Sequence, residues 1–372
     1  MIKTYKEALN LIFKEEKTTK YSLENIIKWL KLLWNPQNDF KIIHIAWTNW
    51  KWSVSKMIFS ILKEVNKKVG VFTSPHLIDI KERFETETGL INNQEFIQIL
   101  NKILKLNIDL SYFDKCVMIA FEFFKLKKCE YIILEVWIWW RLDTTNIVIP
   151  IITVITSIWL DHQDILWNSL DKISFEKTGI IKENIPVILN IKNDVIKKQA
   201  SKNNSKIIFT NKVYETNLLW NFQKQNAWLA YKVAKYLNIS EKQILSWLQK
   251  VKHNWRLEFI KDNILIDWAH NEDSLKELKK YIDKNLKNKY DNIFYCFSIK
   301  KGKKISLVID ILWKNKNYIL LDIKWKMLED LSKYSDNYIY ESKNYVLEQA
   351  NLNKKNLYIV FGSLYMIGEF LK

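Results

Sequence analysis

The sequence predicts an α/β protein with a parallel sheet in a large first domain and a smaller α/β domain after it. Apolar runs of strand length alternate with amphipathic stretches of helical period, beginning with the strand KIIHIA at 41–46. A helix at 53–68 and the strand KVGVFTS follow, and this βαβ order is typical of parallel sheets. The alternation pauses at two consecutive helices within 221–251 and then restarts. The predicted domains are therefore 1–252 and 253–372.

The remaining elements follow the same periodicities. Residues 1–40 indicate two short amphipathic helices that end near Asn35 and Pro36. The further elements predicted in the first domain are a helix in DKCVMIAFEFFKLKKC, strands in YIILEV and IITVITSI, a helix in LDKISFEKTGII, a strand in PVILNI, and helices in NFQKQNAWLAYKVAKYL and EKQILSWLQKV. In the second domain, strands in NILID, NIFYCFS, YILLDI and NLYIVFGS alternate with helices in NEDSLKELKKYIDKNL, KKISLVIDILWK and LYMIGEFLK. The helical spacing of Phe121, Phe123 and Phe124 favours core packing over a ligand slot.

Charge and cysteine content limit the class of protein. The chain has 372 residues and a formal net charge of +17, which would suit a nucleic-acid binder. The lysines are spread through helices and loops, so no nucleic-acid partner is expected. Three widely spaced cysteines without a CxxC pair imply neither a disulfide framework nor a zinc site, which suits the cytoplasm. The longest apolar run, IVIPIITVITSIWL, is shorter than the about 20 residues needed to span a membrane.

Glycine is much rarer in this chain than in an average protein, and tryptophan is much more frequent. The chain contains 6 glycines and 17 tryptophans. An average composition gives roughly 7% glycine, or about 26 in a chain of this length, which the two counts together nearly reach. This exchange suggests that tryptophan is printed where the organism places glycine, as happens when a UGA codon is translated with the wrong code.

The turn after the first strand carries half of a phosphate-binding loop. In HIAWTNWKWSVSK, Lys51 and Ser53 lie between a buried strand and a helix. Such a lysine contacts the β- and γ-phosphates, the hydroxyl binds Mg²⁺, and the helix N-terminus adds partial positive charge. The backbone cradle of such a loop needs glycine, yet positions 47, 50 and 52 hold tryptophan. With glycine at these positions the loop reads AGTNGKGS.

With that change, the chain resembles the folylpolyglutamate synthase/dihydrofolate synthase family of the Mur ligase superfamily over nearly its whole length. LWNPQNDFKIIHIAWTNWKWSVSK is similar to the family's LGNPQ…HVAGTNGKGSV, and FTSPHL with KERF is similar to its substrate-binding segment. The other matching segments are LEVWIWWRLDTTN, TSIWLDHQDILWNSLDKISFEKTGIIK, LLWNFQKQNAWLA, NWRLE, IDWAHN and FGSLYMIGE. Tryptophan occupies family glycine positions at 34, 47, 50, 52, 137, 139, 140, 159, 167, 255 and 268. The resemblance implies a P-loop domain of Mur ligase type followed by a smaller Rossmann-like domain.

Metal ligands are expected at the carboxyl edge of the first sheet. Glu135 and His162 each follow a predicted strand, where α/β proteins bind ligands. With Ser53 they could hold Mg²⁺, and the resemblance assigns metal roles to the matching positions. The residues alone leave an alternative open, in which Glu135 caps a turn and His162 packs.

The resemblance also implies the remaining site residues. Lys51, His162 and Lys177 have catalytic roles, and Lys177 matches a lysine that the family carbamylates. The expected nucleotide contacts are Thr48, Asn49, Trp50, Lys51, Trp52, Ser53, Asn226, Arg256, Asp267 and His270. His270 could instead belong to a helix cap, because AHNEDSL indicates a helix start. The substrate contacts implied by the same resemblance are Ser74, Pro75, His76, Arg83 and Asp143.

The activity implied is ATP-dependent addition of L-glutamate to folate or dihydropteroate through an acyl phosphate. ATP and Mg²⁺ are the expected cofactors, with K⁺ a further candidate, and a monomer without membrane or nucleic-acid partners is expected. Two other classes remain open. One is a Mur ligase that acts on a peptidoglycan precursor, against which TSPHL and LDTTN argue. The other is a catalytically inactive binding protein, which would follow if the tryptophans are genuine.

Overall fold

The first strand, β1 (Lys41–Ala46), lies at the centre of the larger sheet and is buried from its second residue onward. The computed structural model describes residues 1–13, 22–46, 51–136, 141–155, 176, 178–209, 213–214, 216, 221–250, 256–302, 305–312, 317–323 and 328–372, and at positions 51, 221, 222 and 256 it describes the backbone alone. The chain divides into two compact units, Met1–Lys252 and His253–Lys372. Each unit contains one sheet.

The first unit contains an eight-stranded sheet in the order β4-β3-β2-β5-β1-β6-β7-β8. Its strands are β1 (Lys41–Ala46), β2 (Val69–Phe72), β3 (Phe84–Thr86), β4 (Gly89–Leu90), β5 (Tyr131–Glu135), β6 (Ile152–Ile155), β7 (Val187–Leu189) and β8 (Ile207–Phe209). All neighbours pair in parallel except β2 with β3 and β3 with β4. The chain leaves β1 toward β2 and leaves β6 toward β7 in opposite directions along the sheet. Ligands bind α/β sheets where connections diverge in this way.

Helices cover this sheet and form two main cores. The helices described in the first unit are α1 (Tyr5–Ile12), α2 (Glu24–Leu32), α3 (Lys51–Glu64), α4 (Asn93–Leu104), α5 (Tyr112–Leu126), α6 (Asp194–Lys202), α7 (Asn221–Tyr236) and α8 (Glu241–Leu248). The first core joins α1, α2, α4 and α5 to the sheet, and the second joins α3, α7 and α8 to it. Phe121, Phe123 and Phe124 are fully buried in the first core, which confirms the interpretation of their spacing.

Several helices begin where side chains satisfy the free N–H groups of the first turn. Capping boxes join Asn92 to Glu95 at α4 and Ser111 to Asp114 at α5. The second of these matters for the site, because the Asp114 carboxylate also accepts a hydrogen bond from the segment after β5.

The predicted strands and helices of the first unit are largely confirmed, including the two N-terminal helices. The sequence did not predict four of the observed features: the β3–β4 hairpin, α4, α6 and β8. The end of the predicted helix LDKISFEKTGII is not α-helical, because Thr178–Ile180 form a 3-10 turn there. Gly179 is a weak helix former, and most of the residues before it lie outside the described residues.

The second unit contains a six-stranded sheet in the order β13-β12-β11-β14-β10-β9. Its strands are β9 (Arg256–Lys261), β10 (Ile264–Asp267), β11 (Asn292–Ser298), β12 (Asn317–Leu321), β13 (Ile339–Glu341) and β14 (Asn356–Gly362), and its helices are α9 (Glu272–Asn285), α10 (Ile305–Leu312), α11 (Lys343–Leu352) and α12 (Leu364–Leu371). Only the β9–β10 pair is antiparallel among the described pairs. This is a Rossmann-like arrangement, as the resemblance implies.

No helix within the described ranges is both long enough and apolar enough to cross a membrane.

Candidate active site

The carboxyl edge of the larger sheet collects several of the predicted polar residues. The helix α3 begins at Lys51, five residues after β1 ends, and Ser53 in its first turn is fully buried. Trp52 is half-buried. Thr48, Asn49, Trp50, His162 and Lys177 lie outside the described residues, as do the side chains of Lys51 and Arg256.

Glu135 is the last residue of β5 and only 1% of its surface is exposed. Its Oε2 accepts a hydrogen bond of 3.0 Å from the backbone N–H of Ser74, in the segment that follows β2. The strands β2 and β5 are parallel neighbours, so their carboxyl ends meet at the same sheet edge. A buried carboxylate is therefore held at the edge where α3 begins.

The described donors suit Mg²⁺. A hydroxyl from Ser53 and a carboxylate from Glu135 are hard oxygen ligands of the kind that this ion prefers. The described part of the chain contains no group of three or more His, Cys, Asp or Glu side chains placed for a metal. Oxygen donors from Ser53 and Glu135 fit an ion that keeps much of its water and binds substrate phosphates.

The segment between β2 and β3 is held by the carboxylate of Glu82, which the sequence interpretation missed. Glu82 accepts backbone hydrogen bonds from Leu77 at 2.7 Å, Ile78 at 2.9 Å and Asp79 at 2.8 Å. The spacing of Asp79 and Glu82 matches a capping box, and this signal could have identified Glu82. The Ser74–Pro75 peptide bond in this segment is cis.

Arg83 lies at the end of this segment with only 3% of its surface exposed. Its Nε donates a 2.9 Å hydrogen bond to Nδ1 of His76, and its guanidinium carbon lies 5.6 Å from the ring centre of Tyr112. Its Nη1 has no hydrogen-bond partner among the described residues. A buried cation costs free energy unless polar groups compensate it, so a ligand oxygen here would be stabilising.

Asp143 belongs to a hydrogen-bonded network after β5. Its Oδ1 accepts from the backbone N–H of Thr145 at 2.9 Å and from the Thr145 hydroxyl at 2.6 Å. The neighbouring Thr144 donates its hydroxyl to Asp114 at 2.6 Å. Asp143 and Asp114 are both buried, so the segment is fixed to α5 and to its own turn.

His44 on β1 completes this network and was not predicted as a site residue. Its Nε2 lies 3.0 Å from the Thr145 hydroxyl oxygen. The Thr145 proton goes to Asp143, so Nε2 of His44 must be the donor. Full burial, together with the positive charge of Lys182, lowers the pKa of His44 to about 3. His44 interrupts the apolar run of β1 between Ile43 and Ile45, a local signal that could have identified it.

Acidification is expected to destabilise the protein through His44. An unfolded histidine has a pKa near 6.5, so the unfolded state takes up a proton below that pH while folded His44 does not until about pH 3. The stability this group contributes is present above pH 6.5 and lost as pH falls. Between pH 7.5 and 5.5 the loss is about 1.4 kcal/mol.

Urea unfolding of the protein and of His44→Gln at these two pH values measures this loss. Glutamine keeps an N–H donor for Thr145 but does not titrate, so the variant should lose about 1.4 kcal/mol less than the parent. An identical pH dependence in both proteins would contradict the prediction.

The segments RLDTTN and EKTGIIK pack against each other. Asn146 Nδ2 donates to the carbonyls of Arg141 at 3.1 Å and Gly179 at 3.2 Å, and Lys182 Nζ donates to the Asn146 carbonyl at 2.8 Å. A Cβ on Gly179 would lie 2.5 Å from Cγ of Arg141 and 3.1 Å from its Cα, so only glycine fits. Burial lowers the pKa of the Lys182 ammonium. The motif that contains Lys177 thus lies beside the segment that contains Asp143.

Asn226 is buried on α7 and donates to Gln223, which in turn donates to Ser53. Gln223 was not predicted as a site residue, although it belongs to the matching segment NFQKQNA.

In the second unit, the predicted residue Asp267 is the last residue of β10, and the predicted residue His270 lies three positions later. Asp267 is fully buried, and its Oδ2 accepts from the backbone N–H of Leu257 at 3.0 Å. Nδ1 of His270 lies 3.0 Å from the Trp268 carbonyl, and the two rings stack with centroids 5.6 Å apart. The helix α9 is capped by Asn271, so His270 immediately precedes the cap.

The described strands, the buried polar sheet edge and the Rossmann-like second unit define a two-domain α/β protein of Mur ligase type. Residues 249–332 match the family model described as dihydrofolate synthetase, C-terminal domain. The chain is 28% identical to dihydrofolate synthase/folylpolyglutamate synthase of Bacillus subtilis, covering 91% of this chain and 92% of that protein. It is 26% identical to dihydrofolate synthetase of Saccharomyces cerevisiae, and the match covers 94% of this chain and 97% of that protein.

The fold is similar to the crystal structure of bifunctional folylpolyglutamate synthase/dihydrofolate synthase from Yersinia pestis, complexed with AMPPNP and Mn ion. The TM-score is 0.87 at 21% identity, and the match covers 98% of this chain and 97% of that chain. Over nearly its whole length the chain is therefore similar to curated dihydrofolate synthase/folylpolyglutamate synthase proteins, and its fold is similar to a solved structure of one.

Proposed function

We propose that this chain is an ATP-dependent ligase that joins L-glutamate to dihydropteroate, to reduced folate or to both. The observation that carries the proposal is the buried carboxylate of Glu135, held by the Ser74 N–H at the sheet edge where α3 begins. The curated relatives over nearly the whole chain are synthases of this kind.

The reaction divides into two transfers. A carboxylate oxygen of the pterin substrate attacks the γ-phosphorus of ATP, and the bond to ADP breaks. The amine of glutamate then attacks the acyl carbon of the resulting acyl phosphate, loses a proton and displaces phosphate. Such transfers depend on positioning and charge neutralisation rather than on a protein nucleophile. Lys51 would contact the phosphates, and Asn226, Arg256, Asp267 and His270 would contact the nucleotide.

Ser53, Glu135 and His162 would hold a divalent cation. When bound, Mg²⁺ neutralises phosphate charge during the first transfer. Lys177 is proposed as a carbamylated residue, supported by the packing of its motif against the segment that contains Asp143. K⁺ remains an additional candidate. We assign the protein to the cytoplasm as a monomer whose partners are small molecules.

The direct test is a ligase assay on the full-length chain with ATP, Mg²⁺, L-glutamate and either dihydropteroate or tetrahydrofolate. Phosphate release should require all components, and the product should be heavier than the pterin substrate by one glutamyl residue. Absence of pterin-dependent phosphate release with both substrates would refute the proposal.

Arg83→Met is expected to weaken binding of the pterin substrate and to leave binding of ATP unaffected. Methionine keeps the apolar stem but removes the buried donors, including the Nη1 that has no partner among the described residues. Hydrogen bonds to charged groups contribute about 1.5–3 kcal/mol, so the pterin KM should rise roughly 10- to 100-fold. The KM for ATP should change less than about twofold.

The control is Lys81→Met, two residues earlier in the same 3-10 turn, where the ammonium pairs with Asp79 at 3.4 Å. It should leave both KM values near those of the parent. Equal changes in the two KM values for Arg83→Met would show that the residue supports the fold rather than the substrate.

A further inference from the structure

Gln223 connects two residues that are proposed to bind different parts of the ATP–magnesium complex. It lies in the first turn of α7 and is fully buried. Its Nε2 donates to Ser53 Oγ at 3.1 Å, and its Oε1 accepts from Asn226 Nδ2 at 2.9 Å. The result is a continuous chain from Asn226, proposed to contact nucleotide, to Ser53, proposed to bind the cation.

The hydrogen bond from Gln223 limits what Ser53 can do. A serine hydroxyl has one donor proton and two lone pairs. Because Gln223 donates to this oxygen, its hydrogen bond fixes the direction in which the Ser53 hydroxyl can approach a cation. Side chains that would otherwise rotate are thereby held in a binding geometry before the ligand arrives, which lowers the entropy cost of binding.

The two helices that carry this chain are fixed by packing. Val54 and Met57 of α3 and Ala227 and Ala230 of α7 are fully buried in one core. Ser53 and Gln223 are fully buried next to that core, and the chain of bonds is closed to solvent. The low local dielectric strengthens such bonds and makes the loss of one partner costly.

We propose that Gln223 is a positioning residue that acts through Ser53, so that Mg²⁺ and nucleotide bind more tightly together than separately. This inference rests on the proposed function, because it needs Ser53 at the cation. Gln223 itself would contact neither nucleotide nor metal. Its bond to Ser53 should therefore appear in the gain in nucleotide affinity that Mg²⁺ confers, whereas its bond from Asn226 affects nucleotide binding with and without Mg²⁺.

The test uses the full-length chain with the residues that mass spectrometry finds at 47, 50 and 52. Calorimetry measures the Kd of ADP in saturating Mg²⁺ and in EDTA, and the ratio of the two is the magnesium gain. In Gln223→Met, which keeps the side-chain volume but loses both hydrogen bonds, the gain should fall about five- to tenfold. A change in the Kd in EDTA would measure loss of the Asn226 contact, and it cancels in this ratio. Gln223→Ala gives the same readout if the methionine variant does not fold.

A double-mutant cycle with Ser53→Ala shows whether the effect passes through Ser53. In the Ser53→Ala background, Gln223→Met should change the magnesium gain less than about twofold. The matched control is Gln243→Ala, since Gln243 lies in the first turn of α8 and hydrogen-bonds Ser240 at the surface. This control should leave the gain unchanged.

The outcomes separate this inference from the proposed function. A parent protein that does not bind ADP, or binds it equally with and without Mg²⁺, overturns the proposed function and this inference with it. A parent with a clear magnesium gain that Gln223→Met retains overturns this inference alone. So does a loss of gain that is equally large in the Ser53→Ala background.

Discussion

Mass spectrometry of the protein from its own cells is expected to find glycine at 34, 47, 50 and 52, and tryptophan at 29 and 228. Trp34 has a φ of +62° and is 92% exposed, so the position has a conformation that favours glycine and no packing for an indole. Trp29 is fully buried in the first core. Trp228 is buried and stacks on Tyr231 with centroids 4.8 Å apart. Trp34 therefore differs from Trp29 and Trp228 in its structural environment.

The glycine form is expected to bind ATP at least ~100-fold more tightly than a chain with tryptophan at 47, 50 and 52. Indoles at these positions would fill the space in which backbone N–H groups contact phosphate. Each hydrogen bond to a charged group contributes about 1.5–3 kcal/mol, so the loss of two or more gives this factor. Calorimetry with ATP and Mg²⁺ on the two forms measures it.

Position 34 provides the matched control. It lies before β1 and outside the phosphate loop, so exchange between tryptophan and glycine there should leave ATP affinity unchanged. Tryptophan in the natural protein at 47, 50 and 52, together with strong ATP binding, would contradict the requirement for glycine. Tryptophan without ATP binding would favour a binding protein that has lost ligase activity.

Local patterns predict most of the elements because period and length are properties of short windows. The run KIIHIA and the spacing after it specify β1 and α3 well, and both lie where the sequence places them. The helix α4 could also have been found, because Asn92 and Glu95 have the spacing of a capping box. The three-residue strand β8 shows too few residues for either period to be recognised.

Side-chain partners are harder to predict because they depend on how distant segments pack. Ser53 and Gln223 are separated by 170 positions, and His44 and Thr145 by 101. No short window contains both members of either pair. The residues expected from motifs are ones that face ligands, whereas Gln223, His44 and Glu82 face other protein groups and become visible only in the fold.

Glu135→Gln is expected to lower kcat by at least ~100-fold, a typical cost of removing one charge-stabilising group from an active site. Glutamine has nearly the same shape, and its carbonyl oxygen can still accept from the Ser74 N–H. The negative charge and one of the two carboxylate oxygens are lost, and with them the anionic ligand that Glu135 offers to the cation. The loss should therefore be accompanied by a higher Mg²⁺ requirement.

The measurement is phosphate release as a function of Mg²⁺ concentration, with unfolding followed in parallel. Glu130→Gln is the matched control, because Glu130 lies immediately before β5 and its ion pair with Lys41 is exposed to solvent. Surface pairs of this kind contribute about 0–1 kcal/mol, so this variant should keep its kcat and its Mg²⁺ dependence. If Glu135 only holds the Ser74 segment, glutamine would preserve that contact and activity would persist. A fully active Glu135→Gln variant would thus assign the residue to the fold and place the cation elsewhere.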